Sequence, residues 1–242
     1  MNAPRHSALV RVTHWLTFIS FLALLVSGLE IVVSHPRFYW GETGNVNMHP
    51  LFAIPIPASR NLVPTGYGYV WPDGNGWSRY LHFESAWVLV LAGLVYGVAG
   101  LLNGRFRRDL IPRPGQRTLT AHWRRMRQYL RRERAGEDEA LSYNALQRTA
   151  YSTVVFVLFP LMIWTGLALS PSFDAAFPLT VNLLGGRQSA RTLHFFITWA
   201  LVIFFFLHVT MVAMSGFRNR MRAMITGRRA AKKSAEAVEE HV

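Results

Sequence analysis

Residues 191–214 read RTLHFFITWALVIFFFLHVTMVAM, an apolar run that contains two histidines. A helix of this length rises roughly 36 Å, enough to cross the ~30 Å hydrocarbon core of a membrane. Three further apolar runs, at about 12–33, 82–102 and 150–169, approach or exceed the ~18 residues typical of a spanning helix. The sequence therefore predicts an all-α integral membrane protein, built as a four-helix bundle on these four spans.

The basic residues are concentrated in alternate connections. Of 26 Lys and Arg, two precede the first span, twelve lie in 103–149 and seven lie beyond residue 215, against five in 34–81 and 171–191. Because cytoplasmic loops carry the excess of Lys and Arg, both termini and the basic loop 103–149 are expected in the cytoplasm. The net charge of +13 then indicates contact with anionic membrane lipid, and nucleic acid is the weaker alternative.

The connections and the ends of the chain complete the predicted organisation. One four-span domain covers 1–216, with a surface helix at about 118–134 and a kink at Pro160, and 217–242 is a charged tail expected to be disordered. Cysteine is absent, which excludes disulfides, thiolate-bound iron–sulfur clusters and covalently attached c-type haem. No cleavage pattern follows the first span, so no signal peptide is expected.

The two halves of the chain carry a partial internal repeat. The matched segments are His82-Phe83 and Trp87 with His194-Phe195 and Trp199, and Ser27-Gly28-Leu29 with Thr165-Gly166-Leu167. The repeat is incomplete, because Ser152 stands where His14 is expected and Tyr96 where His208 is expected. The halves therefore resemble two copies of one helix pair.

Four of the nine histidines lie in predicted spans. The other five are expected at the surface: His6, His35, His49, His122 and His241. A polar ring in hydrocarbon is costly, so an intramembrane histidine is a functional hypothesis by default. His194 and His208 are 14 positions apart, about 40° short of four helical turns, so they share one helix face and stand roughly 21 Å apart.

Charge topology sorts the four intramembrane histidines into two pairs by depth. His14 and His208 are expected near the inner face, and His82 and His194 near the outer face. Neutral imidazole is a normal axial ligand of haem iron, and a bundle core is where such groups are held, so the pairs predict two b-type haems. Zinc is a weaker alternative, since it needs its ligands in one coordination sphere, and interhelical hydrogen bonding is the simplest one.

Cationic side chains at each face are candidates to hold haem propionates. Arg11 lies at the inner face, and Arg79 and Arg191 lie at the outer face. The glycines of the spans have two interpretations, close helix approach or room for a flat porphyrin, and the sequence leaves both open.

These residues resemble a known family. His14-Trp15, the Ser27-Gly28-Leu29 motif, His82 and the two histidines of the fourth span are similar to those of di-haem cytochrome b subunits. Such subunits belong to bacterial formate dehydrogenases, nickel–iron hydrogenases and thiosulfate reductases, and the resemblance covers residues 8–216. The segment His35-Pro36 to Gly41 is most similar to the thiosulfate reductase branch.

The resemblance implies a subunit of the bacterial inner membrane that passes electrons between the quinone pool and a catalytic partner. That partner is expected on the outer, periplasmic face and is often a molybdenum-cofactor oxidoreductase. By the same resemblance, quinone is an exchangeable substrate near the inner haem, with Asn144 and Gln147 as candidate contacts, although a polar helix start explains these residues equally well. The outer and basic loops are longer than in those relatives, which leaves the partner open.

Two other functions remain as alternatives. The first is a self-sufficient membrane haem oxidoreductase that acts on a small diffusible species such as superoxide. The second is a non-redox scaffold that uses its basic loop to recruit lipid or protein.

Overall fold

The computed structural model describes residues 6–45, 47–55, 75–131, 144–214 and 216–227. Its long helices are α1 (Ala8–Ser34), α2 (Asn75–Leu102), α4 (Ala145–Ala168) and α7 (Arg187–Met214). Its shorter elements are β1 (Arg37–Phe38), β2 (Phe52–Ala53), α3 (Leu119–Leu130), α5 (Pro171–Ala176), α6 (Pro178–Asn182) and α8 (Phe217–Thr226). The protein is an all-α bundle, as predicted.

The four long helices are each long and apolar enough to cross a membrane. They contain the four predicted spans, apart from Leu169 at the end of the third, and they begin four to seven residues earlier than predicted. Many of their large apolar side chains are exposed, including Ile19, Leu94 and Ile203. Such extensive apolar surface is stable in lipid and not in water, so this is a multi-pass membrane protein.

Helix α4 is irregular before its proline. It consists of α-helical Ala145–Thr153, a π-helical turn at Val154–Leu158 and α-helical Phe159–Ala168. Pro160 has no N–H to donate to the carbonyl one turn earlier, so the ladder of hydrogen bonds is interrupted there. The disturbance expected at Pro160 therefore takes the form of a π-helical turn.

The bundle has two distinct ends. At the end that we call the basic end, α1 and α4 begin and α2 and α7 finish, and the described part of the basic loop, which includes α3, lies there. At the opposite end, which we call the hairpin end, β1 and β2 pair antiparallel, and Phe38 stacks on Phe52 and packs against Phe195 of α7. The hairpin therefore packs its aromatic rings directly on α7.

Two helices at the basic end bear on the sequence predictions. Helix α3 confirms the helix expected at 118–134, as far as the described residues extend. The expected disorder of 217–242 is wrong for Phe217–Thr226, which form α8, and residues 228–242 lie outside the described part of the chain. Helix α8 is held by tertiary contacts, because Trp15 Nε1 donates to the Met224 carbonyl at 3.2 Å and Arg11 Nη1 donates to the Ile225 carbonyl at 2.6 Å.

Candidate functional site

Two pairs of imidazole rings face each other between the long helices. His82 of α2 and His194 of α7 lie near the hairpin end, with ring centroids 6.3 Å apart and ring planes at 59°. His14 of α1 and His208 of α7 lie near the basic end, with centroids 6.3 Å apart and planes at 51°. The structure brings together the same two pairs that the charge topology groups by depth.

The ring separation suits two ligands on one metal. A histidine nitrogen binds a transition metal at about 2.0 to 2.1 Å and the ring centroid lies roughly 1 Å further away, so two rings on opposite sides of an iron have centroids roughly 6 Å apart. The separation of 6.3 Å in both pairs is close to this distance. Both pairs therefore fit axial ligation of a haem.

Each ring at the hairpin end lies against a buried hydroxyl. Ser27 Oγ is 3.0 Å from His82 Nδ1, and Thr165 Oγ1 is 3.0 Å from His194 Nδ1. Both hydroxyls donate their only proton to a backbone carbonyl one turn earlier, at 2.7 Å for Ser27 and 2.8 Å for Thr165. They must then accept from the rings, so Nδ1 carries the proton and Nε2 keeps its lone pair for a metal.

A glycine beside each of these hydroxyls makes room for the ring. A Cβ atom on Gly28 would lie 3.5 Å from His82 Cε1, and one on Gly166 would lie 3.3 Å from His194 Cε1. The ring therefore rests directly on the neighbouring helix backbone. The internal repeat thus encodes one packing unit used twice, a hydroxyl and a glycine on one helix that receive a histidine from the next.

The remaining span glycines differ from these two. Gly100 accommodates the ring of Phe106, because a Cβ at this position would lie 2.4 Å from it. Gly93 and Gly97 have no atom of the described residues within 4 Å of such a Cβ. Close packing therefore accounts for Gly28, Gly100 and Gly166, whereas Gly93 and Gly97 face open space.

The basic-end pair has aromatic surroundings. The rings of His14 and Trp15 form a T-shaped contact with centroids 5.5 Å apart. His208 stacks on Phe204, with centroids 5.7 Å apart, and forms a T-shaped contact with Tyr151, with centroids 6.0 Å apart. His208 Nδ1 is buried and has no hydrogen-bond partner among the described residues. The two pairs therefore share a ring separation and differ in what their Nδ1 atoms contact.

The candidate propionate partners are placed differently. Arg11 reaches the end of α8, where it also lies against Gly227. Arg191 donates to the carbonyls of Arg37 and His35, and its guanidinium lies 4.7 Å over the Phe38 ring. Arg79 is exposed near the start of α2. The guanidinium groups of Arg11 and Arg191 thus donate to backbone carbonyls of the protein, whereas Arg79 is exposed.

Asn144 and Gln147 form the reciprocal cap at the start of α4. Asn144 Oδ1 accepts from the Gln147 backbone N–H at 3.0 Å, and Gln147 Oε1 accepts from the Asn144 N–H at 3.3 Å. This arrangement satisfies two backbone donors that a helix start leaves without partners. The structure brings the two side chains together. Capping of the helix start accounts for the position of their oxygen atoms.

The structure gives no support to a zinc centre in the described part of the chain. No three side chains of His, Cys, Asp or Glu gather there into a group able to hold a metal ion. Axial ligation of haem needs only two residues on opposite sides of the iron.

The family model for prokaryotic cytochrome b561 matches residues 5–227. The chain belongs to the prokaryotic cytochrome b561 family. Membership agrees with the four spans and makes the protein a membrane electron-transfer cytochrome of the b type, with b-type haem as its redox group. In this cytochrome b561 the paired histidines are the residues whose geometry fits that group.

Two relatives match this cytochrome b561 over most of its length. A protein of Azospira oryzae, named as the protein-methionine-sulfoxide reductase subunit YedZ1, is 30% identical over 230 residues, covering 92% of this chain and 96% of its own. A protein of Azotobacter chroococcum, named as a Ni/Fe-hydrogenase B-type cytochrome subunit, is 24% identical over 230 residues, covering 91% and 84%. Both names describe subunits of oxidoreductases.

Proposed function

We propose that this cytochrome holds two b-type haems and conducts electrons through the membrane between quinone and an oxidoreductase partner. The observation that carries the proposal is the equal ring separation of 6.3 Å in two histidine pairs near opposite ends of the bundle. His14 and His208 would hold one haem, and His82 and His194 the other. Bound haem supplies one-electron transfer, and the chain supplies the ligands, their orientation and a low-dielectric surrounding.

The arrangement of charge supports an orientation in the bacterial inner membrane. Most Lys and Arg lie in the tail segments and the loop 103–149, which are joined in sequence to the helix termini at the basic end. By the positive-inside rule the basic end faces the cytoplasm, together with both termini, and the hairpin end faces the periplasm. The His14–His208 pair is then the inner site and the His82–His194 pair the outer one.

Quinone is proposed to exchange electrons near the inner site. Asn144 and Gln147 begin α4 at the basic end, and Tyr151, further along α4, contacts the ring of His208. A quinone carbonyl needs a hydrogen-bond donor, which in these amides is the nitrogen and not the oxygen used in the cap. The cap fixes where those nitrogens lie.

A catalytic partner is proposed on the periplasmic face. The relatives are named as subunits of a methionine-sulfoxide reductase and of a Ni/Fe-hydrogenase, which supports a partner oxidoreductase for this chain as well. A molybdenum-cofactor enzyme agrees with the resemblance carried by the segment 35–41. In this arrangement the chain carries electrons, and the partner carries out the substrate chemistry.

Reduction by quinol tests the proposal. The purified cytochrome in lipid vesicles is mixed with a short-chain quinol, and the haem absorption bands are followed. Rapid reduction of both haems, slowed by Asn144→Ala and Gln147→Ala at unchanged haem content, is the expected result. If quinol does not reduce the haem-loaded protein but a superoxide-generating system does, the proposal is contradicted. That result would support the self-sufficient oxidoreductase.

A further inference from the structure

The hydroxyls of Ser27 and Thr165 do more than fill space beside the histidines. Both residues are fully buried, and each directs its proton to a backbone carbonyl and its lone pairs to an imidazole Nδ1–H. A hydrogen bond accepted from Nδ1–H makes the opposite nitrogen a more basic ligand. The contact therefore changes the electronic character of the atom that faces the metal.

We propose that Ser27 and Thr165 are positioning residues that lower the reduction potential of the hairpin-end haem. A more basic axial ligand stabilises the ferric state more than the ferrous state, and hydrogen bonding beyond the ligand is one of the protein's means of setting a haem potential. When one electron is taken up, the Nδ1 proton stays on the ring, so no proton needs to move. The inference rests on the proposed function, since it requires haem between His82 and His194.

The two hydroxyls act on both of the histidines that would hold this haem. His82 and His194 come from different helix pairs, and each meets its hydroxyl at the same distance of 3.0 Å. Gly28 and Gly166 let each ring approach the helix that carries its hydroxyl. Two equal contacts on opposite ligands are expected to add.

The basic-end pair lacks this feature on at least one ligand. His208 Nδ1 is buried without a hydrogen-bond partner among the described residues, and its ring is covered by Phe204 and Tyr151. The His82–His194 pair thus has a hydroxyl against both Nδ1 atoms, whereas the His14–His208 pair does not. The two sites are therefore unequal, although their ring separations are the same.

Potentiometric titration of the full-length cytochrome tests the inference. Ser27→Ala and Thr165→Val each remove one hydroxyl, and the double variant removes both. We expect the potential of one haem to rise in each variant and further in the double variant, by the order of a tenfold change in the one-electron equilibrium constant, about 59 mV. The potential of the other haem is expected to stay unchanged.

Two control variants separate this effect from a general disturbance of the helices. Thr165→Ser keeps the hydroxyl and should keep the wild-type potential. Thr198→Val removes a hydroxyl of α7 that donates to the His194 carbonyl at 2.8 Å and not to the ring. This variant should leave the reduction potentials of both haems unchanged. If Thr165→Val loses haem, Ser27→Ala, which removes one oxygen atom, carries the test.

The outcomes distinguish this inference from the proposed function. A double variant with full haem content and unshifted potentials overturns the role of the hydroxyls and leaves the haem sites intact. A shift of equal size in Thr198→Val also overturns it. A wild-type protein that binds no haem at the His82–His194 pair refutes the proposed function itself.

Discussion

The imidazole rings of His14 and His208 lie 6.3 Å apart at the basic end, although the two residues stand near opposite ends of the described chain. The His82–His194 pair at the hairpin end has the same separation. Helix α7 contributes one ring to each pair, whereas the partners come from α1 and α2. One helix thus links two sites of equal ring separation, which is an arrangement suited to passing electrons along the bundle.

Gly166 is expected to be more sensitive to substitution than Gly93, which lies in open space. Gly166→Ala places a Cβ 3.3 Å from His194 Cε1, which is tight enough to move the ring, whereas a Cβ on Gly93 meets nothing within 4 Å. We expect Gly166→Ala to alter the electron paramagnetic resonance signal of one haem and Gly166→Leu to lose that haem. Gly93→Ala, the matched control, should leave the resonance signal and the haem content unchanged. Equal effects of Gly166→Ala and Gly93→Ala would contradict this account.

Arg191 is expected to fasten the hairpin to α7. Its guanidinium donates to the Arg37 and His35 carbonyls and lies over Phe38, so Arg191→Met should cost on the order of 2 kcal/mol. Amide hydrogen exchange in 37–38 and 52–53 should become faster. Arg79→Met makes the same change of charge at the exposed neighbour and should have little effect. Unaltered exchange together with lost haem would instead favour a propionate role for Arg191.

His35 is expected to make attachment of the hairpin depend on pH. Partial burial lowers the pKa of His35 below its ordinary value, and the nearby charge of Arg191 lowers this pKa further. The unfolded chain therefore binds the proton more readily, so the contribution of His35 to stability is complete above about pH 6.5 and is lost as the pH falls through the lowered pKa. Thermal unfolding in detergent should show this decrease, and His35→Asn should reduce it. A variant with the wild-type pH dependence would rule the mechanism out.

Arg11 is expected to stabilise α8. It donates to the Ile225 carbonyl at the end of α8, where a cation also interacts favourably with the helix dipole. Arg11→Met should speed amide exchange in 217–226 at unchanged haem content, with a cost of about 1 to 2 kcal/mol. Arg222→Met, at an exposed position of α8, serves as the control. Haem loss without faster exchange would favour the propionate role expected from the sequence.

Much of the fold follows from the sequence because a membrane imposes simple rules. Long apolar runs specify the spans, and the uneven distribution of Lys and Arg assigns His14 and His208 to one depth and His82 and His194 to another. The first turns of α2, α4 and α7 are rich in polar residues and escape a hydropathy criterion, which is why these three spans begin earlier than predicted. The cap of Asn144 and Gln147 is local and is consistent with its spacing of three residues.

Other features depend on tertiary contacts that one sequence does not display. Helix α8 is polar and basic, and its contacts with Trp15 and Arg11 join distant parts of the chain. The engagement of Arg191 by the hairpin is of the same kind. The hydroxyl contacts of Ser27 and Thr165 were signalled by the internal repeat, but only the distances to the rings give that repeat a physical meaning.

Haem content of single histidine variants tests the two-haem arrangement most directly. Haem per chain is measured from the pyridine haemochrome spectrum of the purified wild type and of four alanine variants, with exposed His49→Ala as the control. The account predicts two haems in the wild type and the control, one shared spectrum for His14→Ala and His208→Ala, and a different shared spectrum for His82→Ala and His194→Ala. A wild type without haem, or variants whose losses do not follow these pairs, would contradict it.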